Sequence, residues 1–368
     1  MNDTTDVSLH VGLWKGIAGT VSPGSNSNFV EAVLFLLSVS TDILCDTDQE
    51  SSYPTLKSYL MEHITLPLRS GRFIDVDVMK KWRQDLNEIS TGQLLPVSSG
   101  REMQKFLTLL LQHICNLHPL HEFNNLKADY TMTLFAHKDA RVGFPTVQKL
   151  LEKTCIQEKV KFNKVPDNLI LILPRWSLGE EKIFPNLHID LTDVLEYAKR
   201  VCHMCGDQAV FECPECYEQE HTDLSSAAFC QPCSQTIHKH SKRLKHMPVE
   251  LKMVTQLGDE ESSILILKGI LCVQGSNYTT LSQPPRTSRN SLHNSTLPNW
   301  LSFNPRAATN DFTGTESVSH IPEVMLVESV PNWLSMDAYD CMAKDINTIP
   351  DNIRQLLHSC CMCVYSKS

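Results

Sequence analysis

The sequence predicts an α+β fold. Helical apolar segments come early, short strand-like apolar runs come late, and a cysteine–histidine cluster interrupts them. Phe29 to Leu44 is apolar with few breaks and follows Ser22-Pro23-Gly24-Ser25-Asn26-Ser27, so it reads as a buried helix entered from a turn. Arg101 to Leu117 reads as a second helix, because Phe106, Leu109, Leu110, His113 and Leu117 recur at three- and four-residue steps. Asn168 to Pro174 is a continuous apolar run short enough for a buried strand. Ser262 to Val273 reads as another strand, or as two joined at Gly269. Cys361 to Tyr365 offers a closing strand. Between them, residues 282–320 are rich in Ser, Thr, Asn and Pro and are expected to form a long polar loop.

The interrupting cluster is Cys202-x2-Cys205-x7-Cys213-x2-Cys216-x13-Cys230-x2-Cys233-x4-His238-x7-His246. Its eight ligands are the number that two closed tetrahedral zinc sites need. Crossed pairing is preferred, with Cys202, Cys205, Cys230 and Cys233 around one ion and Cys213, Cys216, His238 and His246 around the other. His203, His221 and His240 are spare, and His240 could replace His238 or His246. Closed sites leave no open coordination position, so both zinc ions are expected to be structural. Disulfides are the competing reading. The polar opening Met1-Asn2-Asp3-Thr4 is no secretory leader, so a reducing, cytoplasmic setting is expected instead. Apolar segments on both sides make the cluster an insertion, which divides the chain into residues 1–198, 199–250 and 251–368.

Composition narrows the function classes. A length of 368 residues leaves ample core, and a net charge of −9 with no long basic run argues against nucleic acid as a partner. The basic stretch Lys239 to Lys245 is short and reads as a solvated face. No apolar run reaches the ~18 residues of a membrane span, and no membrane partner is expected. The remaining cysteines, Cys45, Cys115, Cys155, Cys272, Cys341, Cys360, Cys361 and Cys363, mostly read as small core residues. Pro298-Asn299-Trp300-Leu301-Ser302 recurs as Pro331-Asn332-Trp333-Leu334-Ser335, too few copies for a repeat architecture.

These segments together resemble the catalytic domain of the cylindromatosis-type ubiquitin-specific proteases. Lys15-Gly16-Ile17-Ala18-Gly19 is similar to the lead-in to that family's cysteine box, and Asn26 to Phe35 to the box and its central helix. Gln104 to Leu107 with Gln112-His113-Ile114 resembles the helix beneath bound ubiquitin. Val142 to Leu151, Leu173-Pro174-Arg175 and Lys182-Ile183-Phe184-Pro185 are also similar. The zinc spacing resembles a B-box, inserted where this branch of the family carries one. The resemblance implies a papain-like fold of thumb and palm with a two-zinc B-box.

It also locates what is missing. These proteases use a Cys nucleophile, a His base and an Asp or Asn that orients the His. The corresponding positions here are Asn28, Asn277 and Asn304, with Asp337 a rival for the third. An amide forms no thiolate, and Asn277 takes up no proton near neutral pH. The segment Gly19–Asn26 is about four residues longer than the family's, which could disturb the oxyanion pocket. Cys45 and Cys272, or a pairing with His113 or His118, are the remaining routes to thiol chemistry, and a structural reading of both cysteines is favoured.

The resemblance implies a non-catalytic relative that binds ubiquitin or polyubiquitin, linear or isopeptide-linked, as reader, competitor or scaffold. Candidate contacts are Glu102, Gln104, Phe106, Trp176 and Tyr278. The plainer readings are core for Phe106, packing for Trp176, and a solvated helix face for Glu102 and Gln104. The alternatives are a scaffold that meets other signalling proteins through the B-box, and a residual cysteine-type deubiquitinase.

Overall fold

The computed structural model describes residues 15–18, 28–45, 50–90, 99–136, 145–179, 181–220, 223–252, 262–284, 300–310, 319–344 and 348–367. The expected polar start Met1–Thr4, the long Gly19–Asn26 segment and His221 lie outside them.

The first helix, α1 (Phe29–Ser40), is buried along all twelve of its residues. A helix apolar on every side belongs inside a protein, and α1 runs between helices on one side and a sheet on the other. It is followed by α2 (Val76–Ile89), capped by the Asp75 carboxylate, and by α3 (Gly100–Thr108), capped by the Ser99 hydroxyl. Helix α3 passes into a π-helical turn over Leu109–Ile114, so the predicted Arg101–Leu117 helix changes pitch midway and ends at Ile114, before its expected end. A buried ion pair holds α2 against α1: the Arg83 guanidinium donates from Nε to Glu31 Oε1 at 2.9 Å, and its second nitrogen stands 2.5 Å from Oε2.

Strands β1 (His121–Glu122) and β2 (Ala128–Asp129) form a small hairpin. The main sheet has eight strands: β3 (Met132–Thr133), β4 (Asn168–Ile172), β5 (His188–Asp190), β9 (Ile264–Gln274), β10 (Asn277–Ser282), β11 (Leu301–Asn310), β12 (Ser319–Leu326) and β13 (Cys360–Ser366). Their order is β12-β11-β10-β9-β13-β4-β3, with β5 also on β9. All pairings are antiparallel except β3 with β4. Strands β6 (Phe211–Glu212), β7 (Ala228–Phe229) and β8 (Val249–Glu250) form a separate sheet in the order β7-β6-β8, in the stretch of chain between β5 and β9.

The main sheet is covered on both faces, and its sequence shows why. In β4, Ile170 and Ile172 face the α1 side while Leu169 and Leu171 face a second core. A strand buried on both faces must be apolar throughout, which is why Asn168–Pro174 shows no alternation. The second core gathers α4 (Val147–Glu158), apolar residues of the cysteine–histidine insertion with its helices α5 (Pro214–Glu220) and α6 (Gln231–Ile237), α7 (Ser329–Leu334) and α8 (Asp351–Ser359). Mixed helices and sheet confirm the expected α+β class. Among the described residues no helix is long and apolar enough to cross a membrane.

One expectation needs correction. Residues 282–320 are not one polar loop, since β11 and β12 pair across them. In β11, Leu301 and Phe303 are buried while Ser302 and Asn304 are half-exposed, a period of two that polar composition concealed. Their register breaks between Asn304 and Ala308, around Pro305, which has no N–H to donate. The predicted strand over Ser262–Val273 is a single strand that runs through Gly269. The repeated pentapeptide takes two structures: Trp300-Leu301 leads into β11, whereas Pro331–Leu334 lies in α7. Tertiary surroundings override local preference here.

Gly269 has a packing reason. A Cβ there would lie 2.3 Å from Leu36 Cδ1 and 3.1 Å from Ser40 Oγ, so α1 sits against β9 only because position 269 lacks a side chain. Gly269→Ala is expected to lower the unfolding free energy by roughly 1–3 kcal/mol, as overpacking does. Urea unfolding followed by far-UV circular dichroism measures it, and an unchanged midpoint would contradict the close contact.

Candidate functional site

Asn28 immediately precedes α1 and is 0% exposed. Asparagine commonly caps a helix with its side chain, but this one makes no cap bond to α1. Its carboxamide turns to β10 instead. The Asn28 Oδ1 accepts from the Tyr278 backbone N–H at 2.6 Å, and Nδ2 donates to the Tyr278 carbonyl at 2.9 Å. Nδ2 also donates to Asn277 Oδ1 at 2.8 Å. A carboxamide has one acceptor and one donor set side by side, so it binds the N–H and C=O of a single residue as a neighbouring strand would. The register of β11 on β10 covers Thr280 to Ser282, and the Asn28 side chain serves Tyr278 beyond it.

The arrangement brings together two of the three positions singled out in the sequence. Asn304, the third, stands on β11 and accepts from the Arg306 backbone N–H at 3.0 Å. Asp337 is exposed on a turn after α7, away from any strand, so only Asn304 occupies a sheet position.

Burial holds the thiols of this region toward their un-ionised form. Burial pushes the Cys272 thiol up to about 12, with the charge of Cys360 adding to it. Burial also raises Cys45, against the opposing pull of Arg69. Cys115 is pushed up to about 12 by burial. His113 and His118 are both exposed. A thiol held un-ionised without a base attacks slowly.

The five candidate contact residues divide by burial. Phe106 is 1% exposed and meets the Phe29 ring edge-on at 5.1 Å. Tyr278 is also 1% exposed and meets the Phe29 ring edge-on at 5.1 Å. Both therefore form the floor of this region and offer no surface to a partner, a correction to their expected role as direct contacts. Burial raises the Tyr278 phenol, with smaller contributions from Cys361 and Glu102. Glu102 and Gln104 are half-buried on α3. Trp176 is 36% exposed, and its ring lies over Gly100 at the start of α3, where a Cβ would come within 3.6 Å of it.

The eight cysteine and histidine ligands fall into two groups, Cys202, Cys205, Cys230 and Cys233 in one and Cys213, Cys216, His238 and His246 in the other. Within each group the ligand atoms all lie within 4.8 Å of one another, and both groups could hold a metal ion. Zn–S bonds of about 2.3 Å in a tetrahedron set sulfurs about 3.8 Å apart. The Cys205 and Cys230 sulfurs are 3.6 Å apart, close to that edge. None of the fourteen cysteines is in a disulfide. In the second group, His238 Nδ1 lies 2.7 Å from the Ser234 carbonyl, which turns Nε2 toward Cys216 at 3.5 Å. His246 presents Nδ1 to Cys216 and Cys213, at 3.2 and 3.6 Å, while the Gln219 carboxamide lies 2.8 Å from its Nε2. The outer contacts thus fix which nitrogen faces the site. His240, the alternative ligand, is exposed and accepts from the Lys242 N–H at 3.3 Å.

Ligand spacing gave no sign of how the insertion is fastened to the main sheet. Arg200 pairs with Asp193 at 2.6 Å and with Glu212, and donates to the Leu224 carbonyl at 2.8 Å. Lys161 adds a second cation to Glu212 at 3.1 Å. From α4, the buried Glu152 accepts from the Leu224 N–H at 3.1 Å and from Gln148 Nε2 at 2.9 Å. Burial nonetheless pushes the Glu152 carboxyl up to about 7. These polar groups were hidden because their partners are scattered along the chain.

The chain thus combines an α+β sheet covered on both faces, a central buried helix, and a cysteine–histidine stretch between β5 and β9. No family model matches the chain. It is similar over almost its whole length to the ubiquitin carboxyl-terminal hydrolase CYLD. The human protein is 28% identical over 383 residues, covering 98% of this chain and 38% of that protein. The Bos taurus protein is 28% identical over 381 residues, covering 97% and 38%. The Mus musculus protein is 27% identical over 98% of this chain. The chain thus spans about 38% of the length of these curated relatives. Among solved structures, the Saccharomyces cerevisiae PAN2 pseudoubiquitin-hydrolase overlaps with a TM-score of 0.43 at 10% identity, covering 100% of this chain and 91% of that one. The SAGA DUB module bound to ubiquitin aldehyde gives 0.36 at 10% identity, covering 97% and 70%.

Proposed function

We propose that this chain is a non-hydrolysing relative of the CYLD-type deubiquitinases that binds ubiquitin or polyubiquitin as a reader, competitor or scaffold. The observation that carries this reading is the Asn28 carboxamide. It stands where the resemblance puts the nucleophile and is bonded to Asn277, where the resemblance puts the base. Neither amide ionises near neutral pH, so the pair can neither attack an isopeptide carbonyl nor shuttle a proton. Binding and cleavage draw on different residues, and losing one leaves the other open. Glu102, Gln104 and Trp176, the partly exposed members of the expected contact set, are the side chains that a bound ubiquitin would meet. Linear and isopeptide-linked chains are the first ligands to test.

The reading includes two structural zinc ions, in a B-box-like unit of residues 199–250 set between thumb and palm to its N-terminal side and the rest of the palm beyond it. Two closed four-ligand groups with thiolate and imidazole donors fit zinc best. Free thiols throughout are consistent with a reducing compartment such as the cytoplasm. A second reading, a B-box scaffold without ubiquitin binding, is favoured by the exposed apolar side chains of this unit, Val201, Met204, Leu244, Met247 and Val249.

Calorimetric titration with linear and isopeptide-linked diubiquitins separates the two. Saturable binding, weakened at least fivefold (about 1 kcal/mol) by Glu102→Arg or Trp176→Ala, is expected. No heat up to about millimolar ligand, some −4 kcal/mol at best, would leave the scaffold reading. Metal analysis is expected to return two zinc ions per chain. Because the unit shares a core and buried ion pairs with the palm, stripping zinc with a chelator should also lower the thermal midpoint of the whole chain. A midpoint indifferent to chelator would contradict that coupling.

A further inference from the structure

Four basic residues, Lys239, Lys242, Arg243 and Lys245, fall within nine residues, 239–247, that contain no Asp or Glu, in a chain of net charge −9. The sequence alone suggests a solvated face. The structure adds two facts. First, the segment is a run of three-residue turns: His240 N–H donates to the Ile237 carbonyl at 3.2 Å, Arg243 N–H to His240 at 2.8 Å, and His246 N–H to Arg243 at 3.0 Å. Lys239, Lys242, Leu244, Lys245 and Met247 are exposed along it, while Arg243 and His246 are half-buried.

Second, its large apolar side chains are uncovered. Leu244 is 66% exposed and Met247 73%. The three lysines are exposed as well, and no ion pair joins them to an acid among the described residues. Large apolar side chains that stand this far out, beside unpaired cations, have no protein walls around them, so the partner must supply the whole surrounding. An anionic bilayer surface does so: headgroup charge meets the lysines, and the acyl boundary receives Leu244 and Met247. A nucleic acid is a poorer fit, because residues 239–247 hold no Phe, Tyr or Trp on which a base could stack. The candidate ligands His238 and His246 bracket the loop, so a metal bound there would hold it in the shape that docks.

We propose that the 239–247 loop is a peripheral docking site for anionic lipid surfaces, independent of the ubiquitin reading. The test is sedimentation of the zinc-loaded full chain with phosphatidylcholine vesicles, with and without about 30% phosphatidylserine, at physiological salt. Binding to the phosphatidylserine vesicles and none to phosphatidylcholine alone is expected. Lys242→Glu, and Leu244→Ser combined with Met247→Ser, should each weaken it by at least about fivefold. All three positions are exposed, and zinc content and circular dichroism matching wild type establish that the variants are folded. Absence of binding to phosphatidylserine vesicles would overturn the proposal, as would binding unchanged by the Leu244/Met247 pair. Equal competition by soluble polyaspartate, with no dependence on Leu244 and Met247, would overturn it in favour of an acidic polypeptide.

Discussion

The Asn28 carboxamide is the joint on which the centre of the molecule depends. It ties the entry of the buried helix α1 to the start of β10, using the N–H and C=O of Tyr278 and the side chain of Asn277. Around it pack Phe29, Phe106 and Tyr278, the floor of the region where the candidate ubiquitin contacts lie. A thiol at position 28 could not make this set of bonds, since it has a single weak donor and a weak acceptor. The asparagine at this position thus supplies a cross-link between helix and sheet.

The rest of the architecture follows from α1 being enclosed. The sheet must be apolar on both faces, Gly269 must remain bare, and the buried Glu31 needs Arg83. On the opposite face the cysteine–histidine unit is built into the second core rather than tethered to it. Arg200, Lys161, Asp193 and Glu212 form a buried charge cluster there, and removing one member would leave a charge unpaired in a poorly solvated place. The metal groups and the sheet are therefore expected to gain and lose stability together.

Much of this was legible in the sequence, for physical reasons. An unbroken apolar helix, an unbroken apolar strand and paired CxxC knuckles each admit few structures, so α1, β4 and the two ligand groups could be read directly. The β11–β12 pair was missed because its period of two runs through polar residues and a proline. The joint at Asn28 was half visible: Asn28 and Asn277 were both singled out in the sequence, but their bond to each other, and to the backbone of Tyr278, depends on a contact spanning about 250 residues. The docking charges around Arg200 and the exposure of Leu244 and Met247 likewise exist only once the chain is folded.

The most direct test of the joint is the unfolding free energy of Asn28→Ala against wild type in urea. If the carboxamide holds α1 to β10, its removal leaves the buried N–H and C=O of Tyr278 without their partner and costs about 1–3 kcal/mol at unchanged m-value. Equal or greater stability in the variant would contradict the account, and Asn28 would then have no structural role.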